Sequence, residues 1–75
     1  MSDEITVELL KHINKSILVK LKNLKTINGI LINFDPQMNL ILDKVDDVTD
    51  KDKKIDLGKV VLRGDNILTV SLSSK

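Results

Sequence analysis

Hydrophobic positions along the chain follow two different periods. Ile5, Leu9, Leu10 and Ile13 recur at helical spacing, with Ser2, Asp3 and Glu4 ahead of them and Lys11 and His12 behind. Acids at the front and bases at the back complement a helix dipole, so the pattern predicts a short helix over about residues 3–13, with Asn14 as its stop. From Ser16 the period falls to two. Ile17, Val19 and Leu21 alternate with Leu18, Lys20 and Lys22, which gives a first strand over about 16–22. Beyond a turn at Asn23, Leu24 and Lys25, further strands are predicted over about 26–34, 39–47, 54–62 and 67–72. In the third of the five, Leu40, Leu42 and Val45 share one face and Ile41 takes the other.

Two of these strands are interrupted by glycine. Gly29 permits a sharp bend or a close backbone approach, and Gly58 stands in the same way inside the fourth strand. The stretch from Asp46 to Lys54 is nearly all Asp, Lys and Thr and is expected to form a solvated hairpin tip. The fold class that results is mainly β: one short N-terminal helix, then five short strands in a strongly bent antiparallel barrel, as a single domain over 1–75.

Composition sharpens this picture at a few points. The apolar residues are almost all Ile, Leu and Val, with one Phe and no Ala, a palette that suits pleated strands better than close-packed helices. A chain of 75 residues is near the lower size limit for standing alone, since it buries only about 60% of its unfolded surface. It has no cysteine, which removes disulfide staples and thiolate metal sites and makes self-association the readiest source of extra buried area. No apolar run approaches the roughly 18 residues of a membrane span, and no basic signal region precedes the helix, so a soluble, cytoplasmic protein without a membrane partner is expected. The net charge of +1 excludes a broad basic surface for duplex nucleic acid, so any nucleic-acid site must be local or repeated by symmetry.

Candidate chemistry gathers in two loops. Arg63 is the only arginine in a chain that otherwise uses lysine, and it stands in the turn Leu62-Arg63-Gly64-Asp65-Asn66-Ile67 between apolar runs. A guanidinium is flat and permanently charged, so it can stack on a planar ring or grip a phosphate where lysine supplies only a mobile point charge. His12 is the lone histidine and, with no cysteine or second histidine, gives neither a metal site nor a catalytic triad. Phe34 and Met38 are assigned to the core, and Gly64 to a positive φ in its turn.

From Gly29 to Asp43 the sequence reads G-I-L-I-N-F-D-P-Q-M-N-L-I-L-D, and from Gly58 to Val70 it reads G-K-V-V-L-R-G-D-N-I-L-T-V. In order, and separated by a charged loop, these stretches resemble the two halves of the Sm motif. The Arg-Gly form of the second half is that of archaeal and eukaryotic Sm-like (LSm) proteins rather than the bacterial Hfq branch, and the short chain looks most like the archaeal members. The resemblance implies a helix on an SH3-type barrel whose fourth and fifth strands pair between neighbours to close a ring, usually of seven subunits. Ring closure also satisfies strand edges that would otherwise be exposed.

What the resemblance implies about the site can be carried over by residue. Asn39 matches the amide that reads the edge of a uridine base, Arg63 the guanidinium stacked on it, and Gly64 with Asp65 the turn behind. An amide can complement the O4 acceptor and N3 donor of uracil. Asp35 matches the loop aspartate that holds Asn39 in place. Gln37 departs from the pattern, because many members carry His or another flat ring there to sandwich the base. The expected partners are therefore single-stranded U-rich RNA and further copies of the chain, with Sm-like paralogues or RNA-processing proteins as the other protein partners such a ring would take. No cofactor and no metal is expected. The alternative is an assembly ring that binds RNA weakly or not at all because of Gln37. An enzyme is not expected, since the acids concentrate in the exposed Asp46 to Asp56 region and general acid–base chemistry needs positioned titratable groups.

Overall fold

The computed structural model describes residues 4–72. Helix α1 (Glu4–Lys11) leads into β1 (Ser16–Leu21), β2 (Thr26–Phe34), β3 (Leu40–Asp50), β4 (Lys53–Leu62) and β5 (Ile67–Ser71), with a 3-10 turn at Gly64–Asn66 before the last strand. All pairings are antiparallel, and the strand order is β4-β3-β2-β1-β5. Beta-strands β4 and β5 are thus the edges of a bent sheet.

The period-two pattern sends Ile17, Val19, Ile27, Leu31, Leu40, Leu42, Val45 and Leu62 into one core, and Leu9 of α1 closes it. In β3 the inward spacing changes from two residues to three between Leu42 and Val45. An extra residue absorbs the change: Lys44 has φ 50° and the pairing register with β4 shifts between Leu42 and Val45. Gly29 lies across from this bulge. A side chain there would come within 2.9 Å of Val45 Cγ2 and 3.3 Å of the Asp43 carbonyl, so glycine lets the two bent strands close on one another. Gly58 pairs with Val45 on the other side and takes φ 70°. Irregularities in three neighbouring strands therefore line up and fold the sheet sharply.

The helix is shorter than the predicted 3–13, and residue 3, like Ser2, lies outside the described residues. His12 and Ile13 belong to the turn that follows, where the His12 N–H donates to the Leu9 carbonyl and Asn14 takes φ 69°. Ile13 still packs on the core, which is why it kept the helical spacing. His12 is buried, and its Nδ1 donates to the Glu8 carbonyl at 2.8 Å.

The charged stretch from Asp46 to Lys54 is mostly paired strand rather than a hairpin tip. Asp46 faces Asp56, Asp47 faces Ile55 and Asp50 faces Lys53, which leaves Lys51 and Asp52 as the turn. Backbone ladders form irrespective of side-chain polarity, and the charges here find local partners. Lys54 lies 3.9 Å from Asp46, and Thr49 Oγ1 donates to Asp47 at 2.6 Å while accepting the Thr26 N–H at 2.8 Å. Among the described residues no helix is long and apolar enough to cross a membrane.

Candidate nucleic-acid interface

The loop between β2 and β3 is organised by one carboxylate. Asp35 Oδ1 accepts the backbone N–H of Gln37 at 2.9 Å and of Asn39 at 3.0 Å, while Oδ2 accepts Asn39 Nδ2 at 2.9 Å. The Asp35 main chain closes the same loop, accepting from Met38 N–H and donating to the Asn39 carbonyl. These bonds favour the charged form, chiefly the side-chain and backbone donors of Asn39, and hold the Asp35 carboxyl below its ordinary value of 3.8.

Asn39 in turn meets the second loop. Its Oδ1 accepts the Gly64 N–H at 2.8 Å. A carboxylate can only accept and a backbone N–H can only donate, so Asp35 and Gly64 together fix which way the Asn39 amide points. One lone pair of Oδ1 and one N–H of Nδ2 are left over. The remaining N–H faces Gln37 Oε1 at 3.5 Å, a contact at the limit of hydrogen bonding.

Gly64 is required by this closeness and not, as its place in the turn predicts, by a positive φ. Gly58 has the positive φ. A side chain on Gly64 would overlap the Gln37 carbonyl oxygen and approach the Met38 carbonyl to 3.0 Å. Its absence allows the two loops to touch.

Arg63 is exposed, and its Nε lies 3.6 Å from Asp65 Oδ1. Both groups are well solvated, so this pair contributes little stability, at most about 1 kcal/mol. Arg63, Asp35 and Asn39 share the rim of an open cavity of about 440 Å³ with Asn33, Phe34, Ile41 and Val61. The structure therefore brings Asp35, Asn39 and Arg63 together around one space. It places Gln37, exposed, beside Asn39, and Gly64 and Asp65 behind Arg63.

Phe34, Ile41 and Val61 are additions to the site. Phe34 and Met38 both pack against the core, as expected, but Phe34 also lines the cavity. Ile41 and Val61 are cross-strand partners on the outward face of β3 and β4. The signal for them lay in the alternation itself, which turns an apolar residue outward on each of two strands that are neighbours in the hairpin. With polar groups on one side and an apolar floor, the cavity suits a flat, partly polar ring. Among the described residues no cluster of acids, His or Cys is arranged to hold a metal ion.

The family model for the LSM domain matches residues 7–72. An snRNP Sm-like protein of Methanococcoides burtonii is 39% identical over 59 residues, covering 79% of this chain and 82% of the relative. Among solved structures, the SmAP1 heptamer of P. aerophilum superposes with a TM-score of 0.90 at 31% identity and full coverage of both chains. The Pyrococcus abyssii Sm protein in complex with a uridine heptamer superposes with a TM-score of 0.78 at 30% identity, covering 96% of this chain and all of that one.

Proposed function

Since the chain belongs to the LSM-domain, Sm-like family, we propose that it assembles into a ring and holds single-stranded U-rich RNA at the inner rim, as a scaffold or chaperone in RNA processing. The observation that carries this reading is the orientation of Asn39. Its amide is fixed by Asp35 and Gly64 and keeps, beside the Arg63 cavity, a spare acceptor lone pair and a donor engaged only by the 3.5 Å contact to Gln37 Oε1, the combination that complements N3–H and O4 of uracil. Arg63 supplies the flat cation that stacks on the base, and Gln37, Gly64 and Asp65 complete the RNA-binding loops. Stacking is worth about 1–3 kcal/mol per base, so a single site is weak and several on one strand are strong. The reading assigns the protein no catalytic step.

Ring formation is supported by the two edge strands. Ile55 and Leu57 on β4 and Leu68 on β5 are 51%, 45% and 52% exposed, an unusual state for large apolar residues on open edges unless another copy covers them. The heptameric relative and the relative holding a uridine heptamer lend the same support.

A second reading, an assembly ring with little or no RNA affinity, is favoured by Gln37, which offers an amide where a ring would stack. Substitution of Arg63 by alanine separates the two. Loss of U-rich RNA binding with the ring intact by native mass spectrometry supports RNA recognition, whereas loss of the ring makes Arg63 a structural residue.

A further inference from the structure

Arg63 lines two cavities that differ in their polar groups. The base cavity has the Asp35 carboxylate on its rim and an apolar floor of Phe34, Ile41 and Val61. Arg63 and Val61 also line a second cavity of about 360 Å³, together with Leu21, Asn23, Leu62 and Asn66, with no carboxylate among its lining residues. Its polar groups come from the β1–β2 turn, the end of β4 and the 3-10 turn. Backbone bonds hold these parts together: the Lys22 N–H donates to the Asn66 carbonyl at 2.9 Å, and the Asn66 N–H donates to the Arg63 carbonyl at 3.0 Å.

The donors in this second cavity are oriented. Asn23 Oδ1 accepts the Lys25 N–H at 3.0 Å, so the oxygen is committed to the turn and the amide NH2 is left as a donor pair. Asp65 lies at Nε of Arg63, which leaves the two terminal NH2 groups of the guanidinium. Lys22 and Lys25 flank Asn23 in the turn and are exposed, adding positive potential around it. Asp65 meets the guanidinium at Nε and is not among the lining residues, so the cavity itself presents N–H groups and positive charge, which selects an anion.

We propose that this second cavity is a subsite for a backbone phosphate of the RNA strand, with Asn23 as its anchor on the β1–β2 turn. The inference rests on the base-binding reading given above. One Arg63 serves both cavities, because a guanidinium stacks through its face and donates through its edge. A phosphate contact carries no sequence information, so the subsite adds affinity to every strand and leaves the choice of uracil to Asn39. In a chain that has Gln37 in place of a ring, that added grip offsets weaker stacking.

Asn23→Asp is the discriminating variant. It keeps the oxygen that caps the Lys25 N–H, and replaces the donor NH2 by a charged acceptor. Asn14→Asp makes the same change of net charge at the far end of β1, at a residue with φ 69° that Asp tolerates well. Fluorescence anisotropy is read at about 0.15 M salt, where screening confines charge effects to roughly 8 Å. The probes are U-rich and A-rich RNA with ordinary linkages, and a U-rich strand with neutral methylphosphonate linkages.

The expected result is a loss of tenfold or more for Asn23→Asp on both ordinary strands, an unchanged U-to-A ratio, no comparable loss on the neutral strand, and wild-type behaviour for Asn14→Asp. If Asn23→Asp binds like Asn14→Asp while the wild type prefers U-rich RNA, the subsite is wrong and the base site stands. If the wild type binds neither ordinary strand, the base-binding reading fails and the subsite falls with it. Should Asn23→Asp not fold, as judged by thermal unfolding, Asn66→Asp makes the same test from the opposite wall.

Discussion

Asn39 Oδ1 accepts the Gly64 backbone N–H at 2.8 Å, joining loops that are 25 residues apart in sequence. Because Asp35 holds the other end of the same amide, one side chain is at once a fastener between loops and a residue of the Arg63 cavity, with a spare acceptor lone pair and a weakly engaged donor left for a ligand. Recognition and loop structure are therefore coupled, and the substitutions below separate them.

Asn39→Ala removes the bonds to Gly64 and Asp35 together. With a net contribution of about 0.5–1.5 kcal/mol for each hydrogen bond, the variant should lose roughly 1–3 kcal/mol of stability in urea unfolding and most of its affinity for U-rich RNA. Retention of wild-type RNA affinity would remove Asn39 from the site.

Gly64 and Gly58 should respond differently to the same change. At Gly58 nothing lies within 4 Å of an added Cβ, and only the positive φ opposes it, so Gly58→Ala should cost about 1–2 kcal/mol and Gly58→Asn less. At Gly64 the obstacle is the backbone of Gln37 and Met38, so alanine and asparagine should be equally damaging and should weaken RNA binding as well. Chemical unfolding of the four variants checks the ordering.

The Asp35 carboxyl gives the loop a pH dependence whose sign is fixed. Its folded-state value is depressed below 3.8 by hydrogen bonds from Asn39 and Gln37, so the stabilisation is complete above the ordinary carboxylate value and is lost as pH falls through the depressed one. The Asn39 side-chain amide signals should therefore hold steady from neutral pH to about 5 and move only in the acid range below the ordinary value. Asp35→Asn should abolish that movement.

Gln37→His restores a flat ring beside the base cavity. Stacking of about 1–3 kcal/mol per base predicts at least a several-fold gain for U-rich RNA, with the gain over A-rich RNA set by Asn39. An unchanged affinity would mean that the base does not lie against residue 37.

Much of this was legible in the chain. The fold class followed from the change of hydrophobic period at Ser16, and the grouping of Asp35, Asn39 and Arg63 followed from the two Sm-like motifs. The extent of the charged hairpin was not legible, because strand pairing at Asp46 to Lys53 is made by backbone groups and leaves no apolar alternation to read. The reason for Gly64 was also hidden, since it is a contact with a carbonyl far along the chain and not a local dihedral. Asn23 lay outside both motifs, and its nearness to Arg63 emerges from the bond of Lys22 to Asn66 and the cavity that Asn23 and Arg63 share.

The most direct test of the central claim is fluorescence anisotropy of short labelled U-rich and A-rich RNA titrated with the wild-type protein near physiological salt. A clear preference for the U-rich strand is the result that an oriented Asn39 amide beside Arg63 predicts. Equal affinity for both strands, or binding to neither, would contradict it.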